Sequence, residues 1–186
     1  GAAMRRVVGG QPEAAVHANA TGDQRSAAIA SLRDGQHVVV WQHVGENKMV
    51  ELRHRVFGAH GAPLGAERAV ANGLRHERAD QISVAGLPTG GYVVAWSVTA
   101  EVTGMPAGVR VQSFGVDGEA RGAARAVHAV RPSGAIEPRV AGGASGAVVA
   151  WMDSGRGGAG YDVMAQRLGS NGAPVGDPIV VCLAQS

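Results

Sequence analysis

The sequence contains one cysteine, so disulfide cross-links within the chain are excluded and cysteine content does not identify the cellular compartment. With Cys182 alone, a framework of disulfides within the chain is excluded. Such a chain is compatible with a reducing compartment and equally with a secreted bacterial protein that lacks disulfides. Because Cys182 lies in the apolar run IVVCLA, we predict a buried, unreactive thiol.

Clustered positive charge and long apolar runs are also missing. Lys48 is the single lysine beside 16 arginines, the formal net charge is +2, and the longest basic run is Arg5-Arg6. Nucleic-acid binding depends on clustered basic residues, so this charge distribution argues against it. No apolar stretch approaches the roughly 20 residues of a membrane helix, and we expect no membrane insertion. The 29 glycines and only seven aromatic residues are typical of a turn-rich β protein.

What the chain does contain is a threefold repeat. The segments GQHVVVWQH (35–43), GGYVVAWSV (90–98) and GAVVAWMDS (146–154) place Trp41, Trp96 and Trp151 at a spacing of 55 residues. A second motif, G-x-[H/D/N]-G-x-x-x-G, recurs at 58–65, 115–122 and 169–176. Its central dipeptides favour tight hairpin turns with positive φ. The period indicates a repeat architecture.

Each repeat predicts four strands, termed a, b, c and d in chain order. Strand a lies near 28–32, 82–86 and 138–142; strand b ends at the tryptophan; strand c spans 52–57, 109–114 and 163–168; strand d centres on Val70, Val127 or Val180. Strand b is almost continuously apolar, which predicts burial on both faces. We therefore predict an all-β protein of three four-stranded antiparallel repeats, resembling β-propeller blades.

The domain boundaries follow from the repeat, but the way the sheets close does not. We expect a tag or N-terminal segment at 1–9 and one β-repeat domain at 10–182, with units near 20–72, 73–129 and 130–182. EAAVHAN (13–19) resembles a strand d, so an extra closing strand is expected near 12–18. Because propellers have four or more blades, we favour a homodimer that completes a six-bladed ring. A threefold β-prism, a β-trefoil, or a piece of a longer array are the alternatives.

The third unit resembles a repeat found in large secreted, adhesin-like bacterial proteins. There, a strand of the type GG-[FY]-VV-x-W is followed by a Gly/Asp-rich loop, a strand Y-x-[VI]-x-A-Q-R-[FL] and a turn x-x-x-G-x-x-x-G. Here the matching segments are GAVVAW (146–151), YDVMAQRL (161–168) and GSNGAPVG (169–176). The resemblance covers about residues 12–182 and implies a secreted or cell-surface location. It implies no single activity, and the calcium-binding nonapeptide that accompanies some such repeats is absent.

Two sets of recurring residues are candidates for ligand binding. Three tryptophans end strand b, and a polar residue recurs on strand c; the members are Trp41, Trp96, Trp151, Arg55, Gln112 and Gln166. An indole offers a flat apolar face, and Arg or Gln offers directional hydrogen bonds, as a sugar site requires. In the structural alternative, the polar side chains bond the backbone of a neighbouring turn and the indoles fill the core.

Metal binding and catalysis have less support. His37, His43 and His54 could bind zinc if they converged, and Asp153 and Asp162 flank a Gly-rich loop that could hold calcium. Neither histidine nor aspartate set recurs in the other units, so we predict no metal and no cofactor. The chain has no G-x-S-x-G, H-E-x-x-H or phosphate-binding motif.

The sequence thus predicts a non-enzymatic extracellular recognition module, lectin-like or adhesin-like, with a shallow carbohydrate site on each repeat. The alternatives are a structural spacer of a large secreted protein and a glycoside-processing enzyme. Its expected partners are a second copy of itself and glycans.

Overall fold

The computed structural model describes residues 3–4, 14–18, 21–46, 50–70, 77–100, 108–127, 135–154 and 160–183. The strands are β1 (Ala3–Met4), β2 (Ala14–Ala15), β3 (Asp23–Ser31), β4 (His37–Val44), β5 (Val50–Phe57), β6 (Arg68–Ala69), β7 (Glu77–Gly86), β8 (Tyr92–Ala100), β9 (Gly108–Phe114), β10 (Arg125–Ala126), β11 (Ala135–Gly143), β12 (Gly146–Asp153), β13 (Asp162–Leu168) and β14 (Pro174–Cys182). A short 3₁₀ turn, Arg33–Gly35, joins β3 to β4.

The strands form three four-stranded sheets, one for each repeat. Sheet 1 is β3–β6, sheet 2 is β7–β10 and sheet 3 is β11–β14, with neighbours in chain order. Every pairing within them is antiparallel. The predicted all-β class with three four-stranded repeats is confirmed. Strand b continues past its tryptophan in each unit, since β4, β8 and β12 end at Val44, Ala100 and Asp153.

The first strand of every sheet carries a β-bulge at the same place. The register shifts lie between Arg25 and Ala28, Asp80 and Ser83, and Ile136 and Arg139. Within each bulge one non-glycine residue has positive φ: 49° at Ser26, 53° at Gln81 and 54° at Glu137. Because a bulge bends a strand and increases its twist, its recurrence gives the three sheets the same curvature and lets them nest.

The turns between strands c and d also share one geometry. In the first, the Gly61 N–H donates to Gly58 O at 2.9 Å and the Gly58 N–H donates to Ala62 O at 2.8 Å. Gly61, Gly118 and Gly172 have φ near 80°, which glycine adopts without strain. The sequence predicted positive φ for the dipeptides as a whole, but only the glycine of each adopts it. In the second and third turns the polar residue before the glycine instead closes the turn: Asp117 Oδ1 accepts the Glu119 N–H and Asn171 Oδ1 accepts the Ala173 N–H.

Each sheet has two faces that pack differently. The tryptophan face carries Trp41, Trp96 or Trp151, and the back face is the opposite one. The tryptophan face of sheet 2 packs on the back face of sheet 1, and the tryptophan face of sheet 3 packs on the back face of sheet 2. The sheets stack in chain order but do not close into a ring or barrel. The self-closed prism and trefoil are therefore not the fold observed.

A segment near the N-terminus covers part of the remaining tryptophan face. Val16 is buried with Val39, Trp41 and Phe57 of sheet 1. It follows β2, which pairs with β1, and lies within the range where the extra closing strand was expected. The contacts that hold this segment include two hydrogen bonds: Ala18 N–H donates to Glu67 Oε2 at 2.8 Å, and Arg55 Nη1 donates to Val16 O at 3.4 Å.

Sheet 3 departs from the sequence prediction in three respects. Val148 is exposed on its back face, so burial of strand b on both faces is correct for β4 and β8 but wrong for β12. Cys182 is exposed, not buried, because no sheet covers the face of β14 on which it lies. Val180 pairs with Met164 on the tryptophan face, whereas Val70 and Val127 lie on back faces; strand d is longer here and includes a bulge.

The first strands of successive sheets approach each other closely at two glycines. A Cβ atom built on Gly142 would lie 2.1 Å from Gly86 O, and one on Gly86 would lie 2.7 Å from Ser31 O. Side chains are excluded at both places because backbone atoms occupy the space they would need.

We expect Gly142→Ala to lower the free energy of unfolding by about 1–3 kcal/mol, since the neighbouring backbone must move to admit the methyl group. Gly143→Ala is the matched control, because a Cβ at Gly143 meets nothing within 4 Å. Denaturant unfolding of both variants is the measurement. Equal stability of the two variants would show that the strands are not packed this closely.

Candidate functional site

The three tryptophans are buried, two of them between sheets and Trp41 beneath the segment around Val16. Trp41 and Trp96 are 0% exposed and Trp151 is 1% exposed. Trp96 contacts the core shared by sheets 1 and 2, and Trp151 the core shared by sheets 2 and 3. A sugar could stack on Trp96 or Trp151 only if adjoining sheets separated, and on Trp41 only if the segment around Val16 moved away. The assignment of the three indoles as ligand-binding residues therefore stays a prediction without support from the geometry.

The polar column on strand c has one structural role in all three units. Arg55 Nε donates to Gly65 O at 2.9 Å, Gln112 Nε2 to Gly122 O at 3.0 Å, and Gln166 Nε2 to Gly176 O at 3.0 Å. The acceptor is each time the last glycine of the turn motif. The side chain thereby holds the turn against its own sheet, which is the structural alternative considered from sequence. A ligand would have to displace this bond in each unit.

Gln166 makes this connection more extensively than its counterparts. Its Nε2 also lies 2.9 Å from Val175 O and 3.1 Å from Arg167 O, and the side chain is 1% exposed. The carbonyls are available because β14 bulges between the positions opposite Ala165 and Arg167. The amide therefore compensates for ladder hydrogen bonds that the bulge removes.

The three histidines considered for zinc do not converge. His37 stacks on Phe57, with ring centroids 5.5 Å apart, and His43 Nδ1 lies 2.7 Å from Gln24 Nε2. Both lie on the tryptophan face of sheet 1. His54 pairs with Val40 and lies on the back face. Within the described residues, no group of three His, Cys, Asp or Glu side chains could hold a metal ion.

His54 instead belongs to a buried aromatic group between sheets 1 and 2. Its Nδ1 shares a 2.6 Å hydrogen bond with the Tyr92 hydroxyl, and its ring lies 4.5 Å from that of Phe114. Burial, with a smaller contribution from the charge of Arg68, lowers the pKa of His54 to about 4. Burial also raises the pKa of Tyr92. Both side chains are therefore neutral at neutral pH, as a packed interior requires.

A small cavity opens beside this group, at the edge where the two sheets meet. Arg68, Asp117 and Gly118 contribute to its lining, and its volume is about 30 Å³. That volume admits one or two water molecules, and it is too small for a sugar ring. The cavity therefore extends the packing between the sheets and does not provide a ligand pocket.

The acidic pair lies where the sequence placed it, at the end of a hairpin. Asp153 and Asp162 are directly opposite each other in β12 and β13. The loop 155–159 that they flank lies outside the described residues. No third acidic or histidine side chain joins them in the part of the chain that the structure describes.

Two features of the structure were missed by sequence reasoning. One is an ion-pair group on sheet 1, in which Arg53 contacts both Glu51 and Glu67. Although burial alone would raise the pKa of Glu67, the Ala18 N–H and Arg53 hold it below its usual value. The other is the uncovered back face of sheet 3. Neither leaves a local signal, since both depend on which segments meet in space.

Comparisons with known proteins add no assignment. No family model, curated protein or solved structure matches this chain. Among the described residues, no helix is long and apolar enough to span a membrane.

We expect Gln166→Met to lower the free energy of unfolding by about 1–3 kcal/mol, because buried carbonyls lose their donor while the side-chain volume is kept. Gln112→Met is the matched comparison and should cost less, since Gln112, which is 7% exposed, is less deeply buried than Gln166, which is 1% exposed. Denaturant unfolding measures both. A larger loss in Gln112→Met would contradict this interpretation.

His54 should make the fold sensitive to acid. Its folded pKa lies below its ordinary value of 6.5, so the unfolded chain binds a proton that the folded chain excludes between pH 6.5 and 4. The stabilisation is complete above pH 6.5 and falls by roughly 3 kcal/mol as the pH drops to 4.

The measurement is the free energy of unfolding against pH for the wild type and His54→Val. Valine is the residue that sheet 2 has at the same position, as Val111. We expect the acid-induced loss to shrink in this variant. His60→Asn, at an exposed turn position where unit three has Asn171, is the control and should keep the wild-type profile. An unchanged profile in His54→Val would refute the assignment.

Proposed function

We propose that this chain is a non-enzymatic structural module, a stack of β-sheets that serves as a rigid segment of a secreted or cell-surface bacterial protein. The observation that supports this proposal is that all six recurring residues have structural roles. The tryptophans fill cores, and Arg55, Gln112 and Gln166 hold turns. If the recurring residues bound a ligand, their side chains would be expected to be exposed on the surface.

The stacking itself suits a structural role. Among the described residues, successive sheets share their cores through equivalent faces, so further sheets can be added without altering the existing ones. The extracellular location rests on the resemblance of GAVVAW, YDVMAQRL and GSNGAPVG to repeats of large secreted proteins. The single cysteine is compatible with that location.

Carbohydrate recognition is the second candidate, and one exposed aromatic side chain favours it. Tyr161 is 51% exposed, beside the acidic pair Asp153 and Asp162 at the end of sheet 3. Its ring offers an open apolar face on which a sugar could stack. The other aromatic side chains that the structure describes are buried.

One experiment separates the two candidates. Wild type, Trp151→Phe and Tyr161→Ala are compared in a screen of immobilised glycans and in denaturant unfolding. For a structural module we expect no saturable glycan binding. Trp151→Phe should lose about 1–3 kcal/mol of unfolding free energy through the cavity it leaves, and Tyr161→Ala should change it by about 0.5 kcal/mol or less.

A glycan that wild type binds and that Tyr161→Ala, still fully folded, no longer binds would overturn the structural proposal. It would establish recognition at the end of sheet 3. Loss of binding in Trp151→Phe with unchanged stability would likewise assign the indole to a ligand site.

A further inference from the structure

One position of strand b is buried in two sheets and open in the third. Val38 and Val93, on the back faces of sheets 1 and 2, are each 0% exposed, because the tryptophan face of the next sheet covers them. Val148 occupies the same position in sheet 3, three residues before its tryptophan, and is 45% exposed. The sequence keeps valine there although no sheet covers it.

Strand d shows the same difference. Val70, Val127 and Val181 each lie five residues after the last glycine of their turn motif. Val70 is 0% exposed and Val127 is 4% exposed, whereas Val181 is 59% exposed. Val181 lies in the bulge between Val180 and Cys182, and Cys182, opposite Val163 on the back face of sheet 3, is also exposed. At these positions the back face of sheet 3 keeps the apolar residues of an internal junction but has the exposure of a surface. The same face also carries Arg139, opposite Ala150, and Arg167, opposite Val148.

The opposite end of the stack carries the matching half. Ile29, paired with Val39 on the tryptophan face of sheet 1, is 60% exposed. Its equivalent in sheet 2, Val84, is 8% exposed because sheet 1 covers it, and Val140 of sheet 3 packs against sheet 2 in the same way. The segment around Val16 covers Trp41 but leaves Ile29 open.

The two ends are thus the two halves of a junction that the fold already contains twice. We propose that the back face of sheet 3 binds the tryptophan face of sheet 1 in a second copy of this chain, head to tail. The proposal rests on the stacking that underlies the proposed structural function. An interface of this kind joins two different surfaces. Two copies related by a twofold axis can form it twice, which closes the two stacks into one ring.

The side chains at this junction differ from those inside the stack in a complementary way. Between sheets 1 and 2, Arg68 pairs with Glu119 at 2.7 Å. The equivalent of Arg68 in sheet 3 is Ile179, which is 60% exposed, and the equivalent of Glu119 in sheet 1 is Ala62. The two charges of this internal ion pair are therefore replaced by two apolar residues at the proposed junction, so neither of them is buried there without its partner.

One hydrogen bond of the internal junction can also be repeated. Between sheets 2 and 3, Gln81 Oε1 accepts the Glu137 N–H at 2.6 Å. In the proposed junction Glu137 stands in the place of Gln81, so its carboxylate can accept the Ser26 N–H of the second copy. Ser31 occupies the position of Gly86 and Gly142, and the new junction is accordingly wider at this strand than the internal ones.

The segment 14–18 competes with the second copy. Val16 packs on Trp41 as Val70 packs with Trp96 and Val127 with Trp151. It thus fills the place that Val181 of the second copy takes in the proposed junction. Its anchors include the buried Val16 and the bonds to Glu67 and Arg55. Since its described part spans only residues 14–18, the segment is a small cap that a complete sheet can displace.

The test uses the full chain and two readouts across a range of protein concentrations. Light scattering during size-exclusion chromatography gives the mass, and the rate at which a thiol reagent modifies Cys182, the one cysteine, reports whether the back face of sheet 3 is covered. We expect wild type to reach twice 18.8 kDa, with Cys182 protected as the larger particle forms.

Val148→Asp combined with Val181→Asp should weaken association at least about 100-fold, because two carboxylates replace apolar side chains at the centre of the junction. Val116→Asp is the matched control: it is 43% exposed but lies in a turn outside the junction, and should behave as wild type. Val16→Asp, which loosens the cap, should strengthen association.

A protein that stays at 18.8 kDa in both wild type and Val16→Asp, with Cys182 reacting at one rate at all concentrations, would overturn the proposal. So would association that the Val148/Val181 variant retains. Neither outcome bears on the glycan screen, so failure of this interface and failure of the structural function are distinguishable.

Discussion

The structure depends on each sheet covering the apolar face of its neighbour. A four-stranded sheet that is apolar on both sides cannot be stable alone in water. Here the tryptophan face of one sheet meets the back face of the sheet before it, as where Trp96 lies in one core with Val38 and Val70. Each fully buried valine contributes roughly 1.5–3 kcal/mol relative to an exposed one, so these junctions supply most of what holds the units together.

Polar side chains beside the cores, whether recurring or single, serve that stacking and the turns that frame it. Ser113 Oγ donates to Asn171 O at 2.7 Å and Ser83 Oγ accepts the Val140 N–H at 3.0 Å, both between sheets 2 and 3. Gln166 plays the corresponding part within sheet 3. Because a buried polar group without a partner costs about 1–3 kcal/mol, a polar residue repeated next to a core must be matched by a repeated acceptor. Repetition of a polar residue is therefore weak evidence for a ligand site.

The unequal ends of the stack give the repeat a direction. Sheet 1 carries a short segment over Trp41, whereas the back face of sheet 3 carries no such cover among the described residues. Units that are nearly identical in strand b thus have different surroundings, and the difference is visible in Val148 and in Cys182. Function in such an array belongs to its ends and its variable loops more than to the recurring stacking positions of each unit.

The local elements of the fold could be predicted from the sequence. Continuous apolar runs ending near Trp41, Trp96 and Trp151, and turns built on Gly61, Gly118 and Gly172, depend on residues close together in the chain. They were enough for the number of strands, their order and their pairing within each unit. The antiparallel pairing follows because short turns join neighbouring strands.

Tertiary structure alone decided what each side chain does. His54 lies on the face opposite His37 and His43 because the hairpin register, fixed by a loop of variable length, determines which residues of β4 and β5 are paired. Trp151 is buried and Val148 exposed because one face of sheet 3 has a neighbour and the other has none. A sequence repeat shows that the units are alike. Which of their faces meet is decided only when the sheets pack, because the burial of a side chain depends on its surroundings and not on its strand alone.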